Sequence, residues 1–368
     1  MPERNATEFL RRSGWGDASI SPLPGDASSR RYARLKLGGR GALLMDQPPG
    51  IETPPVLEHA GAAEREALGY NAVARLAGAD TSRFQAVAEH LQARGLAAPQ
   101  IHAADHAGGF IILEDFGDRL FADVLADGSG EEELYKAAVE VLAKLHAETA
   151  PVRLAAGMPL YDYDEAALLA ETDLLTEWFL PLALGRPATA AERADHRALW
   201  RTALDHIADH TKVLVHRDYH AQNLVWMPER AGLGRVGLID FQDAVAGSRA
   251  YDLVSLIEDA RRDVSPALAE LATAHYLAAM RAQGLALDEV QFRTEMAVMA
   301  AQRNAKIVGI FARLYKRDGK PRYLALLPRV WGHLERDLAH PALAELRAWY
   351  DRVIPKQLRL PVAEKELL

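Results

Sequence analysis

The spacing of hydrophobic residues changes about one third of the way along the chain. Before residue 116, short apolar runs separated by glycine and proline predict strands over Arg31–Leu37, 42–45 and Phe110–Leu113. Apolar residues at helical spacing predict helices over 3–12, 64–76 and 82–94. We therefore expect the first part of the chain to form a small mixed sheet with a few helices.

After residue 116 helical spacing dominates. It predicts helices over 131–147, 164–180 and 190–210, and several more from about 251 to 352. One group of short apolar runs interrupts them, over 212–215, 224–227 and 235–239. The last two runs flank a glycine-rich loop and predict a hairpin. The pattern as a whole indicates an α+β protein, with a small β-rich lobe followed by a larger, mainly helical lobe.

Composition narrows the class of protein. The chain of 368 residues has no cysteine and a net charge of −8. The lack of cysteine excludes disulfides, thiolate metal sites and cysteine nucleophiles, and the acidic balance argues against a nucleic-acid partner. No uncharged apolar run reaches the roughly 18 residues of a membrane helix, and the polar N-terminus does not resemble a secretory signal. We expect a cytoplasmic monomer without nucleic-acid or membrane partners.

The segment 213–225 combines residues that carry chemistry. A predicted strand ends, a loop follows with Asp218 and Asn223 five residues apart, and the hairpin begins. Asp240 stands at the end of the return strand, so the hairpin brings it back beside Asn223. Oxygen-bearing side chains at one strand edge suit a hard cation such as Mg²⁺. A carboxylate that the metal does not use is able to accept a proton.

This spacing matches a template of phosphoryl-transfer enzymes. His-Arg-Asp218 followed by Asn223 corresponds to the catalytic loop of protein kinases, and Asp240-Phe-Gln corresponds to their metal-binding Asp-Phe-Gly. We predict Asp218 as the catalytic residue, with Asn223 and Asp240 as metal ligands. The alternative is a group of surface carboxylates around an ordinary hairpin.

The same segment resembles the aminoglycoside phosphotransferase and choline kinase superfamily, whose members are relatives of the protein kinases. Leu-His146 resembles the family's motif before the catalytic loop, and Asp252-Leu resembles the motif after the metal ligand. The resemblance implies a protein-kinase-like bilobal fold, with a nucleotide-binding lobe over 1–115 and a catalytic and sugar-binding lobe over 116–368. It also implies that Asp252 holds the catalytic loop by hydrogen bonds, while His216 packs beneath that loop.

Further motifs resemble a bacterial subfamily, the anomeric kinases of N-acetylmuramate and N-acetylglucosamine used in cell-wall recycling. These motifs lie at 25–32, 45–49, 240–244, 302–314 and 317–320. The resemblance implies phosphorylation of the C1 hydroxyl, with ATP and Mg²⁺ as cofactors. It implies further that the sugar 1-phosphate passes to a uridylyltransferase in peptidoglycan recycling.

The predicted nucleotide-binding residues lie in the first lobe, except for Phe116, which is the first residue of the second. No P-loop motif is present, so the turn over 25–30 must cover the phosphates with its backbone N–H groups, its serine hydroxyls and its arginine. The strand end at 113–116 looks like the hinge between lobes, where the family binds adenine. The candidates are Ser28, Ser29, Arg30, Arg31, Glu114 and Phe116.

One element of the kinase template is missing. Protein kinases place a phosphate-binding lysine on the third strand, whereas this chain has no lysine from residue 37 to residue 135. Arginine binds phosphate oxygens with two parallel hydrogen bonds. We therefore expect Arg30, Arg31 or Arg34 to supply the missing charge.

Charge by region suggests the class of acceptor. From Arg293 to Arg336, ten basic residues outnumber three acidic ones, which leaves a net charge of +7. Such a segment suits a neutral or anionic acceptor better than a polycationic aminoglycoside. Arg303 falls on the apolar face of its helix, where an unpaired charge is costly, so it is predicted to be a site residue. The candidate sugar-binding residues are His220, Asp243, Arg303 and Arg313.

Several alternatives stay open at this point. The basic segment also fits a solvated surface or a dimer contact, and the turn over 25–30 fits an ordinary hairpin turn. Among enzymes, a kinase for another small alcohol or for an aminoglycoside has the same motifs. Because the usual lysine is missing, the alternative outside enzymes is a pseudokinase that binds nucleotide without transferring phosphate.

Overall fold

The computed structural model describes residues 5–24, 30–48, 60–75, 80–126, 128, 130–207 and 211–359. The chain folds into two compact units. Unit 1 comprises Met1–Val141, Pro151–Tyr161 and Ala221–Ala244, and unit 2 comprises Leu142–Ala150, Asp162–His220 and Val245–Leu368. An antiparallel sheet near the N-terminus is followed by a larger helical part, so the predicted α+β class is confirmed.

The main sheet of unit 1 is antiparallel, with the strand order β1-β2-β3-β5-β4. Its strands are β1 (Ser19–Pro22), β2 (Arg31–Leu37), β3 (Arg40–Asp46), β4 (Ile101–Asp105) and β5 (Phe110–Leu113). The three strands expected from the sequence form the centre of this sheet. The two strands that sequence analysis misses are its edges. An edge strand buries little, so its hydrophobic pattern is weak, and β1 even contains a proline.

One face of this sheet is covered by the first helix, α1 (Ala6–Arg12). Phe9 and Leu10 of α1 pack with Trp15 against the inward side chains of the sheet. The rings of Phe9 and Phe110 stack with their centroids 5.7 Å apart. Each such buried side chain contributes about 1.5–3 kcal/mol. This small core gives the sheet a packed interior of its own.

Four more helices begin in unit 1: α2 (Ala62–Leu68), α3 (Thr81–Ala93), α4 (Phe121–Ala126) and α5 (Glu131–His146), whose last residues belong to unit 2. The single helix predicted over 64–76 is wrong. Gly69 has a φ of 96°, which ends α2, and a π-helical turn follows over Asn71–Arg75. Helix α3 begins where the side chain of Asp80 accepts a hydrogen bond from the N–H of Ser82.

Two short antiparallel ribbons lie on either side of the predicted catalytic loop in the sequence. In unit 2, β6 (Val213–Val215) pairs with β9 (Val245–Gly247). In unit 1, β7 (Leu224–Trp226) and β8 (Val236–Leu238) form the predicted hairpin, with Leu224 opposite Leu238. The three runs predicted as strands here are confirmed, although each is shorter than expected. Strand β9 was not expected, because two of its three residues, Ala246 and Gly247, are small and uncommon in strands.

Unit 2 is mainly helical. Its helices are α6 (Glu165–Leu174), α7 (Leu180–Leu184), α8 (Ala190–Leu204), α9 (Ala250–Ile257), α10 (Pro266–Ala282), α11 (Glu289–Lys316), α12 (Leu327–Asp337) and α13 (Ala344–Val353). A π-helical turn over Leu175–Phe179 joins α6 to α7. In the part of the chain that the structure describes, every helix is too short or too polar to span a lipid bilayer.

Helix α11 runs through the centre of unit 2 and packs closely on the end of α6. The contact depends on Gly309, because a Cβ at that position would overlap the backbone of Leu174 and lie 2.6 Å from the nitrogen of Leu175. A glycine therefore lets the two helix backbones approach each other. This approach places the side chains of α11 that precede Gly309 over the middle of α6.

Candidate active site

The loop that contains Asp218 is held by a buried carboxylate. Asp252, at the start of α9, is fully buried and accepts hydrogen bonds from the backbone N–H groups of His216 (2.6 Å) and Arg217 (3.0 Å). Hydrogen bonds to an ionised acceptor are stronger than neutral ones. The predicted role of Asp252 in holding this loop is confirmed. Asp218 follows directly and is half-buried.

Two buried histidines lie next to the loop that contains Asp218 and next to its anchor, Asp252. His216 is buried, and its ring packs edge-on against Tyr219 with the centroids 5.6 Å apart, as the packing prediction requires. His146 of α5 lies with Nε2 3.6 Å from Asp252, while its Nδ1 is 2.9 Å from the hydroxyl of Tyr276. Burial lowers the pKa of His146 although Asp252 opposes the shift. His146 is therefore neutral at pH 7, and the hydrogen bond between its Nδ1 and the Tyr276 hydroxyl orients the ring beside Asp252.

Arg217 has an unusual backbone conformation. Its φ is 74°, in the left-handed region that costs a non-glycine residue roughly 1–2 kcal/mol. Its guanidinium is buried and lies 2.7 Å from the carboxylate of Glu171 on α6. The residue before Asp218 is thus strained and is held both by its N–H and by its side chain.

The hairpin in unit 1 brings the two predicted metal ligands together. The N–H of Ile239 donates to the carbonyl of Asn223 at 3.2 Å, directly before Asp240. Asp240 itself has a φ of 62°, and its carboxylate is 41% exposed. That exposure leaves room for a ligand. Its Oδ1 already lies 3.1 Å from the guanidinium of Arg30 and accepts a hydrogen bond from Gln242 at 3.1 Å.

The donor chemistry of this pair fits Mg²⁺. A carboxylate and an amide oxygen are hard ligands, and Mg²⁺ bound to a nucleotide takes its other ligands from phosphate and water. Within the described residues, no group of three or more histidine, aspartate or glutamate side chains is placed to hold a metal alone. Asn223 and Asp240 offer one amide oxygen and one carboxylate to such an ion.

A buried arginine fixes the segment that follows Asp240. Arg83 of α3 is fully buried and donates to the carbonyls of Gln242 (3.1 Å), Ala244 (2.7 Å) and Pro159 (2.8 Å). Its guanidinium also lies over the ring of Tyr161. Helix α3 is thereby joined to the backbone next to the predicted metal ligand.

The predicted phosphate-binding residues have different surroundings. Ser28 and Ser29 lie outside the described residues. Arg31 is exposed on β2, and Arg34 is occupied by two carboxylates, those of Asp115 (2.5 and 3.2 Å) and Asp118 (2.8 and 2.9 Å). Arg30, the third arginine expected to replace the missing lysine, is the one that pairs with a predicted metal ligand, Asp240.

The predicted hinge is structurally well defined. The N–H of Glu114 donates to the carbonyl of Gln100, and its carboxylate pairs with Arg230 at 2.6 Å. The guanidinium of Arg230 lies 5.0 Å from the centre of the Phe116 ring. A Cβ on Gly237 would lie 2.7 Å from that ring, so a glycine is needed opposite Phe116. The Phe116 ring is thus packed between a cation and a strand backbone.

Among the predicted sugar-binding residues, His220 has the most informative surroundings. Burial lowers its pKa to about 4; Asp259 and Asp218 act against the shift, and Arg261 and Arg303 add to it. His220 is therefore neutral at pH 7 and able both to donate and to accept a hydrogen bond. Because charges from Asp259 and Arg303 act on it, His220 and Arg303 share one electrostatic environment with Asp218.

The other three candidates are distributed over both units. Arg303 is buried and donates to the carbonyl of Glu258 at 3.0 Å. The expected apolar-face position of Arg303 is therefore confirmed, and a carbonyl oxygen supplies a partner. Arg313 is half-buried on the same helix. Asp243 lies in unit 1, where it accepts a hydrogen bond from Gln242 at 3.2 Å.

The positive charge counted over 293–336 is smaller in the folded protein. Arg293 pairs with Glu270 and Glu289, Arg329 with Asp263, and Lys306 with Glu171. All four carboxylates lie outside the counted segment. The sequence count therefore overstates the field that an acceptor would meet, because it omits partners that other helices supply.

Sequence analysis did not identify three residues near the predicted catalytic groups. Glu171 and Arg83 hold the two loops, and Asp259 lies near His220. A signal for two of them was available. Arg83 stands in register with Val87 and Leu91, and Glu171 with Ala167 and Leu175, so each places a charge on an apolar helix face. This is the same signal that singled out Arg303.

Comparisons with known proteins identify the family and the fold of the chain. The model of the phosphotransferase enzyme family (APH) matches residues 19–287. A Caulobacter vibrioides protein named N-acetylmuramate/N-acetylglucosamine kinase is 44% identical over 362 residues, or 97% of this chain and 98% of that protein. A Pseudomonas putida protein of the same name is 30% identical, over 94% of this chain and 92% of that protein. Choline kinase LicA from Streptococcus pneumoniae has a similar fold, with a TM-score of 0.56 at 13% identity over 93% of this chain and 100% of that chain.

Proposed function

Because the chain belongs to the phosphotransferase enzyme family, we propose that it is an ATP- and Mg²⁺-dependent sugar kinase acting on N-acetylmuramate and N-acetylglucosamine. The observation that supports this best is the 44% identity, over nearly the whole length of both chains, to a protein named for these two sugars. We propose further that the phosphate is transferred to the anomeric C1 hydroxyl. This finer point rests on the family resemblance of the motifs.

Asp218 is proposed as the catalytic base. The C1 oxygen of the sugar attacks the γ-phosphorus of ATP, and Asp218 takes the proton of that hydroxyl. The bond between the γ-phosphorus and the β,γ-bridging oxygen then breaks and ADP leaves. Asp252 supports this role, because its two hydrogen bonds hold the backbone immediately before Asp218. Most of the rate enhancement would come from positioning and charge neutralisation.

Asn223 and Asp240 are proposed to hold Mg²⁺ with the nucleotide. Held there, the ion would supply positive charge that neutralises the phosphates of the nucleotide. We assign the role of the missing lysine to Arg30, because its guanidinium lies 3.1 Å from Asp240. Ser28, Ser29 and Arg31 remain proposed phosphate ligands.

The remaining assignments concern binding and cellular role. We propose that 1–115 binds nucleotide, with adenine against Glu114 and Phe116, and that 116–368 holds the catalytic and sugar-binding groups. His220, Asp243, Arg303 and Arg313 are the proposed sugar ligands. The enzyme would act as a cytoplasmic monomer, and a sugar 1-phosphate is the chemical form that a uridylyltransferase uses in peptidoglycan recycling.

The first experiment measures ADP release with Mg-ATP over N-acetylmuramate, N-acetylglucosamine, glucose, choline and kanamycin. We expect turnover on the two N-acetyl sugars and a C1-phosphate signal by phosphorus NMR. Asp218→Asn should fold normally and lose nearly all turnover, by about 10³-fold or more, because the base is gone while Mg-ATP still binds. Turnover on choline or kanamycin alone would contradict the proposed acceptor. ATP binding without any turnover would indicate a pseudokinase.

A further inference from the structure

A buried carboxylate in unit 2 has every acceptor position filled. Oε1 of Glu171 lies 2.7 Å from the guanidinium of Arg217 and 2.8 Å from the ammonium of Lys306. Oε2 accepts from the amide of Gln302 at 3.1 Å and from the hydroxyl of Tyr163. A carboxylate has about four lone-pair sites, so these donors use all of them. We call these five residues the Glu171 cluster.

The charges of the cluster are not balanced one to one. Burial opposes ionisation of Glu171, but Lys306 and Arg217 outweigh it and lower the pKa of the carboxyl. Glu171 alone would neutralise Arg217. Adding the ammonium of Lys306, whose side chain is 13% exposed, requires a second cation to lose most of its water. Buried ion pairs contribute little net stability, so stability does not explain the extra cation.

The geometry indicates an orienting purpose. Gln302 and Lys306 are four residues apart, on one face of α11, and they bind opposite oxygens of the same carboxylate. The amide of Gln302 also donates to the carbonyl of Leu168 at 3.1 Å, which ties α11 to α6. The carboxylate plane of Glu171 therefore cannot rotate. The guanidinium of Arg217 meets a fixed acceptor.

We propose that Glu171, Lys306 and Gln302 are positioning residues that fix the Arg217 side chain and, through it, the backbone that presents Asp218. The inference rests on the proposed role of Asp218 as the base. Arg217 is the link, because it directly precedes Asp218 and has a strained φ of 74° that its partners must maintain. Asp252 holds the N–H of Arg217, and Glu171 holds its side chain.

The test compares Glu171→Gln, Lys306→Met and the double variant with the wild-type protein. A displaced base lowers transfer to the sugar and leaves nucleotide binding intact. We expect each single variant to lower kcat by roughly 10- to 100-fold, with the Kd of Mg-ADP by calorimetry changed less than about twofold. The amount of ADP released per sugar phosphate should rise, because water competes better when the sugar hydroxyl lacks its base. The double variant should lose little more than either single one, because both act through Arg217.

A matched control separates positioning from stability. Arg359 is also a buried arginine of unit 2, 3% exposed, and it pairs with Glu335 (2.8 Å) and Asp351 (2.7 Å). Arg359→Met should lower the unfolding midpoint and leave kcat and the ratio of ADP to sugar phosphate at wild-type values. If Glu171→Gln does not fold, Lys306→Met still tests the proposal, because Glu171 then keeps Arg217 as its partner.

The outcomes distinguish this inference from the proposed function. Wild-type kcat and wild-type coupling in folded Lys306→Met, together with an inactive Asp218→Asn, would overturn the positioning role and leave the base intact. The positioning role would also be overturned if the cluster variants lost activity only in proportion to their unfolded fraction. An active Asp218→Asn would overturn the base itself, and with it the inference that depends on it.

Discussion

The loop that bears the predicted catalytic residue, Asp218, and the loop that bears a predicted metal ligand, Asp240, are held by opposite chemistry. In unit 2, the loop before Asp218 is bound by carboxylates, since Asp252 accepts from two N–H groups and Glu171 from the Arg217 guanidinium. In unit 1, the segment after Asp240 is bound by a cation, since Arg83 donates to three carbonyl groups. Anions hold one loop by its donors, and a cation holds the other by its acceptors.

The position of the backbone strain differs as well. Each loop contains one non-glycine residue with positive φ, which is 74° at Arg217 and 62° at Asp240. In unit 1 the strained residue bears the proposed ligand, whose carboxylate is therefore turned toward solvent. In unit 2 the strain lies one residue before the proposed base. The base consequently depends on anchors at a neighbouring residue, whereas the metal ligand depends on its own backbone.

Removing Asp252, the carboxylate that binds the loop before Asp218, should give the largest effect on kcat. Asp252→Ala leaves two buried N–H groups without acceptors, each costing about 1–3 kcal/mol. We expect kcat to fall by about 100-fold or more while Mg-ADP still binds. Urea denaturation and steady-state kinetics measure the two effects. Normal turnover in a folded Asp252→Ala protein would show that the loop keeps its shape without this anchor.

Removing the cation from the second loop should affect metal binding in particular. Arg83→Met fills similar space and leaves three carbonyls without a donor. Because Asp240 lies beside these carbonyls, we expect the affinity for ADP in the presence of Mg²⁺ to fall about tenfold, or about 1.4 kcal/mol. Calorimetry with and without Mg²⁺ measures this difference. An equal loss in both conditions would contradict a role limited to the metal ligand.

The sequence predicts the hairpin, with Asn223 and Asp240 at its two ends, because the placement of these residues is local. The 16 residues between Asn223 and Asp240 form two short strands and the loop that joins them, and two short apolar runs in the sequence mark both strands. The role of Asp252 was implied by the family resemblance of its motif, which lies 12 residues after Asp240. Short spacing of this kind leaves few alternative geometries.

The anchoring residues could not be located in the same way. Glu171 and Arg83 are distant in sequence from the loops that they hold. A charged residue on an apolar helix face is predicted to be buried, but the pattern does not identify its partner. The net charge counted over 293–336 overstates the positive field for the same reason, because carboxylates outside this segment pair with its basic residues. Edge strands β1 and β4 were missed because they bury little. Tertiary partners decide all of these features.

A smaller effect is expected from a variant that tests how closely α11 must pack on α6 to hold the loop before Asp218. Gly309→Ala places a methyl group against Leu174, and such overpacking costs about 1–3 kcal/mol. Because α11 bears Lys306 and Gln302, a modest decrease in kcat should accompany this loss of stability. Gly332→Ala on α12 is the matched control: the nearest atom to its Cβ would be 3.9 Å away, so alanine should stabilise the helix by up to about 1 kcal/mol. Equal unfolding midpoints for both variants would contradict the close-packing argument.

The last prediction concerns pH, because the pKa values of Asp337 and Glu171, both in unit 2, are shifted in opposite directions. Burial raises the pKa of Asp337 well above its ordinary value and Glu258 adds to the shift, while Asn304 and Arg336 oppose it. Above about pH 4 the unfolded chain has lost this proton, whereas the folded protein keeps it up to the raised pKa. The free energy of unfolding therefore falls as pH rises from about 4 through the raised pKa. The slope is at most about 1.4 kcal/mol per pH unit. Asp337→Asn should remove this slope, so its free energy of unfolding should rise relative to that of the wild-type protein as pH increases. Urea denaturation across that pH range measures the difference. Glu171 has a lowered pKa and the opposite sign, so its contribution disappears only as pH falls. Parallel stability curves for Asp337→Asn and wild type would mean that Asp337 titrates normally in the folded protein.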